Sequence, residues 1–192
     1  MIKVGDKLPD GTLNEFLETE QPGCSVGPNS FSVAQLTKGK KIVVFGLPGA
    51  FTPTCSAKHV PGYLAGFEQL KGKGVDEIWC VSVNDAFVMG AWARDQKSQG
   101  KVRMMADGSA AFTKALGLEL DLTARGMGVR SNRYPAVTCA TRTPGFLADS
   151  VAMAREPERE RFRAHMTSTR TSSTSQNERE HKLEHACSNY WN

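Results

Sequence analysis

The sequence predicts an α/β domain with a mainly parallel central sheet flanked by helices. Two short apolar runs, residues 41–46 (KIVVFG) and 75–83, are typical of strands that are covered on both faces. Helix-like stretches alternate with these runs, and this alternation is typical of a parallel sheet with crossover helices. The chain has 192 residues, 40% of them hydrophobic, which suffices for one domain with a buried core.

The first half of the chain predicts a hairpin, a strand and a helix. Residues 11–17 alternate in polarity and suggest an N-terminal β-hairpin. Residues 41–46 form the first core strand. A helix is expected from residue 54 to about residue 71, with a kink at Pro61 because proline has no N–H to donate. Basic residues and glycines at 71–74 are typical of a helix end.

The second half repeats the strand–helix pattern. Asn84 and Asp85 can cap a helix over residues 86–99. Its apolar side chains have helical spacing and are expected in the core; they are Phe87, Val88, Ala91 and Trp92. Residues 102–105 predict a third strand, and Asp107 caps a short helix after it.

The composition changes after Tyr134. Residues 167–175 (TSTRTSSTS) are nearly all hydroxyl residues, and such a stretch cannot bury enough apolar surface to order itself. Pro135 removes a ladder donor from the strand expected there, and no closing strand pair is recognised beyond it. We therefore predict a domain over residues 1–137 and a divergent, disordered tail over residues 138–192.

The most informative stretch is 48–55 (PGAFTPTC), directly after the first core strand. Thr52 is a good N-cap and Pro53 suits the first helical position, so Cys55 falls in the first turn of a helix. Free backbone N–H groups and the positive end of the helix dipole lie there and favour the reactive thiolate. The alternative is a small apolar cysteine packed beneath a helix.

The pattern Pro48-x3-Thr52-x2-Cys55 resembles the active-site signature of the peroxiredoxins. The wider run 45–56 is similar to the type II (peroxiredoxin-5) subfamily, particularly its plant-like members. A second block, residues 81–89 (VSVNDAFVM), also matches at the expected distance. The resemblance covers residues 2–134 and implies a thioredoxin-like fold.

The resemblance implies a thiol-dependent peroxidase for hydrogen peroxide and alkyl hydroperoxides. The Cys55 thiolate would attack one peroxide oxygen, releasing water or an alcohol and leaving a sulfenic acid. Thr52 would face the thiolate and the peroxide, or act only as a helix cap. Pro48 would shape the turn and shield the thiolate. Arg133 would supply the neighbouring cation, with Arg130 as its competitor.

A second thiol and an external reductant would complete this cycle. Cys80 is the candidate resolving thiol, although a small buried strand cysteine is an equal interpretation. The resemblance implies regeneration by glutaredoxin with glutathione, or by thioredoxin, and a homodimer. The sequence predicts no role for Cys24, Cys139 or Cys187.

Other interpretations of the chain are open at this point. A variant with an altered C-terminus that is catalytically impaired would act only by binding other proteins. Cys55 and His59 share a helix face and suggest a cysteine protease, which would need a third orienting group. His181, His185 and Cys187 have a spacing compatible with zinc, but a charged helix fragment fits that segment better. We therefore expect no metal and no cofactor.

Charge and targeting features limit the functional class. The net charge of +4 is too small to indicate binding to nucleic acid or to a membrane surface. The N-terminus lacks the features of a signal or transit peptide, and the odd count of five cysteines does not match a secreted disulfide framework. We expect a cytoplasmic chain, with plastid and mitochondrion left open.

Overall fold

A computed structural model describes residue 6 and residues 8–19, 25–139 and 150–153, with only the backbone described for residues 136–139 and 150–153. Its strands are β1 (Thr12–Leu17), β2 (Gly27–Ser32), β3 (Ile42–Leu47), β4 (Glu77–Ser82), β5 (Arg103–Ala106), β6 (Glu119–Asp121), β7 (Val129–Ser131), β8 (Tyr134–Cys139) and β9 (Ser150–Met153). Its helices are α1 (Val33–Thr37), α2 (Val60–Ala65), α3 (Phe67–Gly72), α4 (Ala86–Asp95) and α5 (Ala111–Leu116). A π-helical turn spans Cys55–His59 and a 3₁₀ turn spans Thr123–Arg125.

Seven of these strands form one sheet in the order β2-β1-β5-β4-β3-β8-β9. Strands β3, β4 and β5 pair in parallel, while the β1–β2 hairpin, the β1–β5 pair and strands β8 and β9 pair antiparallel. The predicted α/β class and N-terminal hairpin are therefore confirmed, but the sheet is mixed rather than mainly parallel. The reason is that only β3, β4 and β5 are joined by helical crossovers, which parallel neighbours require.

The two predicted core strands lie at the centre of this sheet. Every residue of β3 is buried, and so is every residue of β4 except Glu77. On one face Val44, Trp79 and Val81 join the main apolar cluster. On the other face Phe45 stacks on Tyr63 of α2, with ring centroids 3.8 Å apart. Coverage of both faces explains why these strands are continuous apolar runs.

The helix expected over residues 54–71 forms in pieces. The Val60 N–H donates to the Cys55 carbonyl and closes the π-helical turn, and α2 and α3 then meet at Gly66. Pro61 lies in the first turn of α2 and has no N–H to donate to the preceding turn. The wider turn before it is a typical response of a helix to that missing donor.

The buried face of α4 differs from the predicted one. Asp85 accepts the Val88 N–H and caps this helix, as predicted. Phe87, however, is 64% exposed, whereas Met89 and Gly90 are buried. A Cβ at position 90 would lie 2.7 Å from the Cβ of Phe16, so this glycine lets α4 pack closely on β1. The Phe87 ring lies beside the Phe16 ring, with centroids 5.8 Å apart, at the exposed edge of this contact; the prediction that Phe87 belongs to the core is wrong.

Strand β8 forms despite Pro135. It pairs with β3, and residue 135 lies opposite Phe45. Pairing with β9 begins at Ala136, so the missing N–H of Pro135 breaks no ladder bond on that side. The expectation that no closing strand pair follows residue 134 is therefore wrong. Strand β8 also continues past residue 137, while the rest of the predicted tail lies outside the described residues apart from β9.

A close approach between two residues fixes β8 against β3. Tyr134 lies directly opposite Gly46, and its ring crosses the glycine. A Cβ built on Gly46 would lie 2.0 Å from the Tyr134 ring, so only glycine fits there. Burial, and secondarily the nearby Asp107 carboxylate, raise the pKa of the Tyr134 phenol above its ordinary range.

A half-buried ionic network lies where the central strands β3, β4 and β5 begin. Arg103 bonds Glu15 at 2.6 Å and Glu77 at 2.8 Å, and Glu77 also accepts from Lys40 and from the Trp79 indole. Burial alone would raise the pKa of Glu77, but the hydrogen bonds from Lys40, Trp79 and Arg103 and the charge of Arg103 lower it to about 2. The network therefore stabilises the folded chain while Glu77 is ionised.

We predict that Glu77→Gln lowers the free energy of unfolding by about 1–3 kcal/mol at pH 7. Because the folded-state pKa of Glu77 lies below its ordinary value of 4.5, this contribution is complete above pH 4.5 and is lost as the pH falls from there towards 2. Urea unfolding of both proteins between pH 7 and pH 3 measures the difference. Glu18→Gln, which breaks a more exposed ion pair with Arg94, is the control and should change stability little. A difference that stays constant over this pH range contradicts the assignment.

Candidate active site

The predicted active-site stretch forms a loop between β3 and the π-helical turn. Cys55 begins that turn, is fully buried and is a free thiol. The Thr52 carbonyl accepts the Ser56 N–H, so helical bonding starts at Thr52. Phe51 has a φ of 57°, which is uncommon for a residue other than glycine. Backbone held in this region stores strain on the order of 1 kcal/mol and is frequent at functional sites.

Thr52 and Pro48 lie on either side of the loop's tight bend. The Thr52 hydroxyl donates to the Gly49 carbonyl at 2.9 Å, back towards the loop and away from the helix. Pro48 follows β3 directly and is half-buried. Both predicted residues therefore belong to the same short loop as Cys55. Their roles in a reaction remain predictions.

Arg133 reaches the thiol from a different part of the chain. One of its guanidinium nitrogens, Nη2, lies 3.6 Å from Cys55 Sγ, within hydrogen-bonding distance for sulfur. Arg130, the competing candidate, instead donates to the carbonyls of Met127 at 2.7 Å and Val83 at 2.9 Å. Of the two candidates, the structure brings Arg133 to the sulfur and uses Arg130 to join two backbone segments.

Cys80 lies in the middle of β4 and is fully buried. It faces Phe45 in the parallel β3–β4 register, so its side chain is on the sheet face that α2 covers. Burial, and then the neighbouring Cys55, raise the pKa of the Cys80 thiol well above its ordinary value. The structure thus places Cys80 beneath the helical segment that carries Cys55, in the form of a shielded, protonated thiol.

Two contacts at the site were not predicted from the sequence. The Asn84 side chain accepts the Ala50 N–H at 3.0 Å, and the Trp92 indole donates to the Ser56 hydroxyl at 3.1 Å. The available signal for Asn84 was its place directly after β4, because carboxyl ends of neighbouring parallel strands meet at one sheet edge. Trp92 offered no comparable signal, since its helical spacing indicates only burial.

The remaining sequence candidates give no second site. Cys24, Cys187, His181 and His185 lie outside the described residues, and only the backbone of Cys139 is described. Within the part of the chain that the structure covers, no group of three or more His, Cys, Asp or Glu side chains is arranged to hold a metal ion. No helix in that part is long and apolar enough to cross a membrane.

Comparison with known proteins identifies the family. The chain matches the Redoxin family over residues 3–138. It is 53% identical to Peroxiredoxin-2B of Arabidopsis thaliana over 133 residues, which are 69% of this chain and 78% of the relative. The chain belongs to the peroxiredoxin family. Peroxiredoxin-2C of Oryza sativa subsp. japonica is likewise 53% identical, over the same shares of the two chains.

A solved structure extends this peroxiredoxin assignment to the fold. Reduced Prx3 from Vibrio vulnificus, in complex with hydrogen peroxide, superimposes with a TM-score of 0.71 at 41% identity and covers 86% of this chain and 99% of its own. The predicted thioredoxin-like fold is thereby confirmed.

Family membership also decides between the functional interpretations. The chain is a thiol peroxidase, an oxidoreductase of the peroxiredoxin type. The cysteine-protease interpretation therefore does not hold. The impaired-variant interpretation assumed that Arg133 would lack a supporting strand. It is not favoured, because β8 follows Arg133 directly and the guanidinium reaches Cys55.

We predict that Arg133→Met slows alkylation of Cys55 by iodoacetamide at pH 7 by roughly tenfold, because a hydrogen bond to a charged group contributes about 1.5–3 kcal/mol. The rate is measured by mass spectrometry of the Cys55 peptide. Arg130→Met is the comparison variant and should keep the alkylation rate within about twofold. A larger loss in Arg130→Met than in Arg133→Met would reverse the assignment of the two arginines.

Proposed function

We propose that this peroxiredoxin reduces hydrogen peroxide and small alkyl hydroperoxides at Cys55, in the cytoplasm, with a thiol reductant. The observation that carries the proposal is the 3.6 Å contact between the Arg133 guanidinium and Cys55 Sγ at the start of a helical turn. A positive charge and an N–H donor at this place stabilise the thiolate, which is the nucleophile.

In the proposed reaction the Cys55 thiolate attacks one oxygen of the peroxide. An S–O bond forms and the O–O bond breaks, so sulfur is oxidised to sulfenic acid and the peroxide is reduced. The second oxygen leaves as hydroxide or alkoxide and takes a proton from solvent, which gives water or an alcohol. Arg133 stabilises the negative charge as it moves from sulfur to the leaving oxygen. Thr52 orients the peroxide, and Pro48 shields the thiolate from water.

The sulfenic acid then condenses with a thiol to form a disulfide and water. Cys80 is one candidate, and its position under the helical segment that carries Cys55 supports it. Because Cys80 is fully buried, this route requires local opening of that segment. Glutathione, an external thiol, needs no such opening. Glutaredoxin with glutathione, or thioredoxin, would return Cys55 to the thiol.

The decisive experiment measures hydrogen peroxide consumption by the full chain with glutaredoxin and glutathione, and separately with thioredoxin. We expect turnover in at least one of the two, falling to the uncatalysed background in Cys55→Ser because no other group replaces the thiolate. Cys80→Ser should leave formation of the Cys55 sulfenic acid unchanged and should lower only turnover that depends on an internal disulfide. Consumption that persists in Cys55→Ser would contradict the proposal.

We also propose a homodimer formed at the edge that carries the active-site loop. Phe51 of that loop is 52% exposed, and exposed aromatic side chains are enriched at interfaces. We expect sedimentation equilibrium to show a dimer, and Phe51→Asp to weaken its association by about tenfold or more. Val26→Asp is a matched control, because Val26 is 55% exposed and lies before β2. A monomeric wild type, or an unchanged Phe51→Asp dimer, would refute this assembly.

A further inference from the structure

We propose that Asn84 is a positioning residue that sets the orientation of Thr52 through the peptide group between Gly49 and Ala50. The proposal rests on the proposed function in one respect: Thr52 is taken to orient the peroxide. Asn84 lies two residues after Ser82, the last residue of β4, beside the end of β3, where the loop begins.

The first step is the anchoring of the loop. Asn84 Oδ1 accepts the Ala50 N–H at 3.0 Å. It also accepts the Ser82 hydroxyl at 2.7 Å, from the last residue of β4. Ser82 is fully buried in the central sheet, so the acceptor that holds Ala50 is itself held by a rigid strand. The loop is thus fastened to β4 as well as to β3, from which it emerges.

The second step is transmission through one peptide plane. The Ala50 N–H and the Gly49 carbonyl belong to the same peptide group, which is planar. Asn84 bonds its N–H, and the Thr52 hydroxyl donates to its carbonyl at 2.9 Å. Fixing the N–H end therefore fixes the direction of the carbonyl end. Hydrogen bonds arranged in such a chain also polarise one another.

The third step is the consequence for Thr52. Since its hydroxyl hydrogen is directed to the Gly49 carbonyl, its oxygen lone pairs are left to accept a hydrogen bond. A peroxide O–H is a suitable donor for that oxygen. In this arrangement the Thr52 oxygen accepts a hydrogen bond from the peroxide O–H, and the Thr52 hydroxyl does not compete with Arg133 for the sulfur.

Close packing supports the same path. A Cβ built on Gly49 would lie 3.3 Å from the Thr52 methyl, 3.4 Å from Arg130 Nη1 and 3.8 Å from Asn84 Oδ1. The peptide is therefore enclosed by the residues that orient it. Arg130 bonds the Val83 carbonyl at 2.9 Å, which joins the segment before Asn84 to β7.

The arrangement separates two properties of the site. Arg133 reaches Cys55 from the connection between β7 and β8, whereas Asn84 acts on Thr52 from the segment that follows β4. Loss of the Asn84 acceptor should therefore impair the peroxide reaction and spare the general reactivity of the thiol. A purely structural role for Asn84 would instead reduce both reactivities together.

The test compares Asn84→Leu, which has no acceptor, with Asn84→Asp, which keeps one. Asn29→Leu is the matched control, because Asn29 is also half-buried but bonds only the Ser25 and Gly27 carbonyls near β2. Three quantities are measured in the full chain: the rate constant of Cys55 oxidation by hydrogen peroxide, the rate of alkylation by iodoacetamide, and amide exchange at Ala50 by NMR.

We expect Asn84→Leu to slow oxidation by about tenfold or more, keep alkylation within about twofold and accelerate exchange at Ala50. Asn84→Asp should restore most of the oxidation rate and the protection of the amide, and Asn29→Leu should change none of the three. Equal losses of oxidation and alkylation, or unchanged oxidation in Asn84→Leu, would overturn the inference.

Two further arms keep the test decisive. If Asn84→Leu does not fold, Ser82→Ala is used instead, because it removes the donor that orients Asn84. It should slow oxidation by a smaller factor and leave alkylation unchanged; no selective loss of oxidation there overturns the inference.

If the wild-type chain does not react with peroxide at all, the proposed function fails, and with it the peroxide role of Thr52. Exchange at Ala50 then still reports whether Asn84 holds the loop.

Discussion

The site depends on the pairing of β8 with β3, and that pairing depends on a glycine. Tyr134 can cross β3 only because residue 46 has no side chain, since a Cβ there would lie 2.0 Å from the ring. This approach holds β8 in register along the central strand. Arg133 directly precedes β8, so the same contact fixes the backbone position from which the Arg133 side chain extends. The positive charge that Arg133 brings to Cys55 is therefore positioned by packing in the core and not by the loop that contains the thiol.

The loop itself is positioned by the parallel part of the sheet. Because β3 and β4 run in the same direction, their carboxyl ends meet at one edge, and the segments that follow them become neighbours. Asn84 uses this proximity to hold Ala50, and Arg130 joins Val83 to β7. Three chain segments distant in sequence thus converge on a loop too short to build a site from its own side chains.

Local patterns in the sequence were sufficient for the elements whose signals are local. Continuous apolar runs predicted β3 and β4, and the cap at Asp85 marked the start of α4. Failures occurred where a distant residue decides. Phe87 has core-like spacing, but it is exposed beside Phe16, next to the close contact between Gly90 and Phe16. Pro135 is typical of a strand interruption, but β8 forms in register with β3, and its pairing with β9 begins only at Ala136. The family resemblance favours Arg133 over Arg130, and the structure brings the Arg133 guanidinium to the sulfur while Arg130 bonds backbone carbonyls.

The two cysteines show how one helical segment can meet opposite requirements. Cys55 begins the segment and contacts the guanidinium of Arg133, which directly precedes β8, whereas Cys80 lies below it in β4, where burial raises the pKa of the thiol. While the segment stays folded, the second thiol is kept protonated and away from solvent. Opening the segment would expose Cys80 but would also remove Cys55 from Arg133 and from the loop held by Asn84. A disulfide between Cys55 and Cys80 would therefore need a conformation other than the folded segment, and the hydrogen bond from Trp92 to Ser56 is one of the contacts that opening would break.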